Sequence, residues 1–127
     1  MTITEFLLAR IADDEAEARA AGAWLAAPDA HGDDMVWTNT EPPQPLLARK
    51  DASQIFGHIA RHNPARVLRE CEAKRWIVAR ARSAARADQS GDGYAAGHRN
   101  AACSDVQELA AVYADHPDYR PEWRPLT

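Results

Sequence analysis

Ile3, Phe6, Leu7 and Ile11 recur at helical spacing, and they follow Thr2 and Glu5, which stand three apart as a capping box requires. The pattern predicts a first helix over residues 3–21. Its second half, Asp13 to Arg19, is rich in acids with little to bury, and Glu15 and Arg19 form an i,i+4 pair on a solvated face. From Gly22 to Lys50 the period stops, broken by Gly22, Pro28, Gly32, Pro42, Pro43 and Pro45. Within that stretch Ala23 to Ala26 and Met35 to Thr38 flank a turn-prone run, which predicts a small β-hairpin that needs helix packing beneath it. Residues 52–62 read as a short helix with Ile55, Phe56 and Ile59 on one side. Asn63 then caps, and Pro64 opens, a long helix over 64–87. Its stripe is Val67, Leu68, Cys71 and Val78, widened by Trp76 and Ile77, with Glu70 and Lys74 paired at i,i+4.

The polar, Gly-rich run from Asp88 to Asn100 reads as a flexible loop, 88–100. Ser104 and Gln107 fit a second capping box before a short helix over 105–114 carrying Val106, Leu109, Ala110 and Tyr113. Three prolines predict an extended tail over 115–127, held to the body by Tyr119 and Trp123. The fold class expected is mainly α, with two longer and two short helices and a small hairpin between the first and second. A real hairpin makes the class α+β. One small domain spans 1–127, without internal repeats.

Composition changes this picture in one respect. Of the 46% hydrophobic residues, 27 are alanine, while Ile, Leu, Val and Phe number only 20 of 127. Alanine raises helix propensity and buries little, so the core is a short list. Phe6, Leu7, Ile11, Ile55, Phe56, Ile59, Val67, Leu68, Cys71, Val78, Leu109 and Tyr113 should dominate it, with the tryptophans as covers. So thin a core suggests that a partner or a second copy shares in the burial.

Charge is distributed in blocks. Residues 1–60 hold ten acids and four bases, residues 61–86 two acids and eight bases, and residues 87–127 seven acids and three bases. The basic block can face phosphate, an acidic helix of its own chain, or another subunit. The start of the chain lacks a cationic region of secretory type, and no apolar run approaches the roughly 20 residues of a membrane span, so a cytoplasmic protein without a membrane partner is expected. Cys71 and Cys103, 32 positions apart, signal neither a zinc ribbon nor a disulfide framework.

Two segments, Gly-His58-Ile-Ala-Arg-His62-Asn-Pro-Ala-Arg66-Val-Leu-Arg-Glu70 and Tyr113-Ala-Asp-His116-Pro-Asp-Tyr-Arg-Pro-Glu-Trp-Arg-Pro125, resemble an uncharacterised family of small actinobacterial and actinophage proteins. The similarity extends over the first helix, the 54–80 region and the tail, and is poor over 22–50 and 88–100. Members of that family usually carry Asp where this chain has Asn63, and both residues cap a helix well. The resemblance implies an actinobacterial or phage origin and one small domain; it supplies no reaction.

Candidate chemistry is sparse. His58 and His62, at i,i+4, present two imidazoles on one helical face, a spacing suited to a divalent transition metal such as zinc. His116 is the third ligand considered, with Asp115 and Cys103 as further choices. Ile59 stands where a zinc protease has its general-base glutamate, so metal hydrolysis is not indicated. Arg66, Arg69, Arg75 and Arg82 are the candidates for nucleic-acid contact, although the basic residues are spread around the helix and the chain is acidic, with a net charge of −4. No phosphate loop, nucleophile elbow or spaced carboxylate pair is present. The leading expectation is a non-enzymatic interaction or accessory module with a protein partner or self-association, ahead of a metal-binding protein or metal-dependent enzyme at His58 and His62, and of a nucleic-acid-binding protein.

Overall fold

The structure, a computed structural model, describes residues 1–21, 24–28, 34–38, 41–48, 58–59, 61–87 and 93–126. It is mainly helical. The described elements are α1 (Ile3–Ala21), β1 (Trp24–Pro28), β2 (Asp34–Thr38), β3 (Pro45–Ala48), α2 (Pro64–Ala87), α3 (Gly93–Ala111) and a 3-10 turn at Pro121–Trp123. The chain forms two compact units, Met1–Asp13 with Cys71–Thr127, and Asp14–Glu70, whose boundaries fall inside α1 and α2.

The start of α1 is set by a reciprocal cap. Thr2 N–H donates to Glu5 Oε2 at 2.7 Å and Glu5 N–H donates to Thr2 Oγ1 at 3.2 Å, so two backbone donors that a helix start leaves open are satisfied. The Thr2 backbone hydrogen bond, with the Thr2 side chain adding to it, holds the Glu5 carboxyl below the ordinary glutamate value. A carboxyl lowered in the folded state contributes stability above its unfolded pKa, and that contribution is lost as pH falls through the folded one. Glu5→Gln should therefore be less stable than wild type above the ordinary glutamate pKa of about 4.3, and the difference should shrink progressively as pH falls below it, as read by chemical denaturation across acidic pH.

α2 opens as its sequence dictates. Asn63 accepts twice from Arg66 N–H, through Oδ1 at 3.1 Å and its carbonyl at 3.0 Å, and once from Val67 N–H at 3.1 Å. Pro64, which has no N–H to lose, takes the first helical position and is buried. The 52–62 helix lies mostly outside the described residues. What is described is one helical turn at its end, where His62 N–H donates to the His58 carbonyl at 3.0 Å.

In the second unit β1, β2 and β3 form an antiparallel sheet in that order. Trp24 faces Thr38 and Pro28 faces Asp34 across the first pair, whereas β2 meets β3 with Met35 opposite Ala48 and an irregularity between Val36 and Trp37. The turn expected between the first two strands falls mostly outside the described residues. β3 runs through a proline-rich stretch that periodicity leaves unassigned. It begins at Pro45 and β1 ends at Pro28, so each proline stands at the end of an edge strand, where a missing N–H is tolerated.

The end of the chain corrects two expectations. The 88–100 loop and the 105–114 helix are replaced from residue 93 by a single helix, α3, that runs to Ala111. Ser104 is therefore no cap: it lies mid-helix, and its hydroxyl donates to the Asn100 carbonyl at 3.2 Å, as interior serines do. Three long helices are described, rather than two longer and two short. The tail is not extended either. Tyr113, Ala114, His116, Tyr119, Trp123 and Arg124 each donate a backbone N–H three residues back, to Ala110, Ala111, Tyr113, His116, Arg120 and Pro121, so the tail is a succession of tight turns.

Among the described residues of the first unit, Phe6, Leu7, Ile11, Cys71 and Val78 are the largest fully buried side chains, all five expected. Trp123, expected as a cover, is buried with Phe6 and Ala110, and Ile3, Tyr113 and Tyr119 pack against them. Ile59, Val67, Leu68, Leu109 and Tyr113 are half-buried. Ile55 and Phe56 lie outside the described residues.

Candidate functional site

Phe6 organises the first unit. Its ring meets Tyr113, His116 and Tyr119 edge-on at centroid distances of 6.5, 5.6 and 5.9 Å, and Trp123 at 5.1 Å in a tilted contact. Edge-on contact sets the positive rim of one ring against the negative face of another, so the tail gains from wrapping this residue beyond the area it buries. Arg10, one turn along α1, fastens the same tail. Its guanidinium lies 5.6 Å from the Phe6 centroid, pairs with Asp13 at 2.8 Å and lies against the His116 ring. His116 Nδ1 also accepts the Asp118 N–H at 3.1 Å. Arg10 Nε is buried without a partner among the described residues, so the guanidinium is held by its two terminal nitrogens. From α2, Lys74 Nζ donates to Tyr113 Oη at 3.0 Å.

Beside this aromatic cluster lies a cleft of about 260 Å³, built entirely within the first unit. Ile3, Val106 and Trp123 supply its large apolar surface. Ala81 and Ala85, one turn apart on α2, face the space with methyl groups only, which leaves room that longer side chains would fill. Thr4 and Gln107 add neutral polar atoms, Cys103 an exposed thiol, and Arg82 a cation. Four segments far apart in sequence build it, with the capped start of α1 on one side and the tail's 3-10 turn on another.

The sequence-derived candidates are placed as follows. His58 and His62 are exposed, their rings 4.3 Å apart at centroids and inclined by 31°. They belong to the second unit and His116 to the first, where it is engaged by Arg10 and the tail. Among the described residues no three His, Cys, Asp or Glu side chains are grouped so as to hold a metal ion. Arg66 is bound to Glu70 at 2.6 Å, with Nη1 3.4 Å from the Arg61 carbonyl. Arg69 is exposed, Arg75 half-buried, and Arg82 lines the cleft. Cys103, read from sequence as near a helix start, stands ten residues inside α3. Sequence reasoning missed Arg10, Ala81 and Ala85. The only pointer to the alanine pair is its one-turn spacing, which a helix this rich in alanine obscures.

Fold and site define a mainly helical protein with a small apolar cleft, and among the described residues no helix is long and apolar enough to cross a membrane. The chain belongs to DUF6221, a family of unknown function, whose model matches residues 1–125. No curated protein and no solved structure shows significant similarity to it.

Proposed function

We propose that the protein is a non-enzymatic interaction module whose ligand seats an apolar group in the cleft between Ile3, Ala81, Ala85, Val106 and Trp123. The observation that carries this reading is the open apolar space itself. A chain with so few large apolar residues keeps three of them along a cavity that leucines at 81 and 85 would close. Concave, mostly apolar sites with a few polar groups at the edge are where small ligands bind. The other two readings have less support. Two exposed histidines are two ligands, short of the four of a structural zinc site. Of the arginines considered for nucleic acid, Arg66 is held by Glu70 and Arg82 lines the cleft.

The test is a titration with N-phenyl-1-naphthylamine, a neutral aromatic dye that brightens in apolar surroundings. Wild type should bind it saturably, and Ala81→Leu, which fills the cleft from a half-buried position, should weaken binding at least about tenfold while leaving the melting temperature equal or higher. Equal binding by both proteins would refute the reading.

A further inference from the structure

Among the described residues, Arg82 is the only charged one along the cleft. It has no ion-pair or hydrogen-bond partner among the described residues, unlike Arg10, Arg19, Arg66 and Arg120. The chain carries 19 acids and a net charge of −4, yet among the described residues neither Asp nor Glu lines this space. An unpartnered guanidinium beside apolar walls leaves a positive charge that an anion entering the cleft can neutralise. We infer that the occupant of the cleft is a small organic anion, with an aryl or short acyl body against Ile3, Val106 and Trp123 and a carboxylate or sulfonate at Arg82.

The inference rests on the cleft being the binding site and adds the chemistry of what it takes. Guanidinium presents parallel N–H donors that match the two oxygens of a carboxylate, and Thr4 and Gln107 give neutral donors to a remaining oxygen. Size points to a free small molecule over a folded partner. About 260 Å³ lies just below the roughly 300–1,000 Å³ of drug-sized sites, whereas a stable protein interface takes about 800 Å² from each partner.

Two dyes with one skeleton separate the charge from the apolar body: 8-anilino-1-naphthalenesulfonate and the neutral N-phenyl-1-naphthylamine. At low ionic strength wild type should bind the sulfonate about fivefold more tightly than the neutral dye, the scale of one exposed ion pair. Arg82→Gln should remove that preference without changing affinity for the neutral dye, Arg82→Lys should keep part of it, and Arg80→Gln, on the same helix outside the cleft, should leave it intact. About 0.5 M salt should shrink the preference in wild type and leave Arg82→Gln unaffected. Equal affinity for the two dyes, or a preference that survives Arg82→Gln, overturns the anion inference. In that event the cleft reading still stands, provided Ala81→Leu excludes the neutral dye. Failure of both dyes to bind overturns both.

Discussion

Phe6→Ala is expected to destabilise the protein by about 3–5 kcal/mol, enough to consume a large part of the roughly 5–15 kcal/mol that holds a domain of ordinary stability. Phe6 is fully buried, and four rings of the tail meet it within 6.5 Å at their centroids. Truncation removes the buried ring and leaves a cavity that Tyr113, Tyr119 and Trp123 can fill only by breaking the tail's turns. Phe6→Leu should cost less, because it keeps most of the volume and forfeits chiefly the ring-to-ring geometry. Urea denaturation followed by far-ultraviolet circular dichroism measures both. A loss for Phe6→Ala below about 1.5 kcal/mol would mean that the tail does not depend on this ring.

Trp123→Ala should cost about as much, roughly 3–5 kcal/mol, and should do a second kind of damage. Trp123 is buried against Phe6 and Ala110, stacks edge-on with Tyr119 at 5.9 Å, carries the Arg120 guanidinium 5.4 Å from its centroid, and forms one side of the cleft. Its removal should free the chain after residue 116 to proteases and weaken binding of the neutral dye. Because Phe6 and Trp123 touch, the double variant should lose less than the sum of the single losses, by about 0.5–1.5 kcal/mol. Strict additivity would show that the two rings stabilise the protein independently, contrary to the packing described.

α1 and α2 were legible because both begin with local chemistry. Thr2 and Glu5 at one start, and Asn63 and Pro64 at the other, satisfy backbone donors within four residues, and the apolar spacing that follows agrees with them. The start of α3 was hidden for the opposite reason. Gly93, Gly97 and Asn100 are poor helix formers, and an interior glycine costs about 1 kcal/mol relative to alanine, so propensity argued for a loop. A Cβ at Gly97 would meet nothing within 4 Å, so no close approach requires glycine there, and the helix is continuous with the alanine-rich turn at Ala101 and Ala102 in spite of it. Ser104 and Gln107 mimicked a cap, since three-residue spacing recurs inside any helix.

In the tail, three prolines predict extension. Pro117 and Pro121 instead fix φ within successive turns, a use that depends on Phe6 and Arg10 more than 100 residues earlier. The cleft was invisible for the same reason: residues near 3, 81, 106 and 123 meet only in the folded chain. Arg82 was singled out from sequence, but as one cation of a phosphate-facing helix. Its surroundings, and not its identity, give it a different chemistry.

Occupation of the cleft is tested most directly by the rate at which iodoacetamide alkylates Cys103 with and without saturating N-phenyl-1-naphthylamine. Cys103 is exposed and lines the cleft, whereas Cys71 is 1% exposed and serves as an internal control in the same molecule. Bound dye should slow labelling of Cys103 at least about fivefold, in line with the burial a pocket ligand imposes, and leave Cys71 unlabelled throughout. Dye binding that leaves the Cys103 rate unchanged would place the ligand elsewhere and contradict occupation of the cleft.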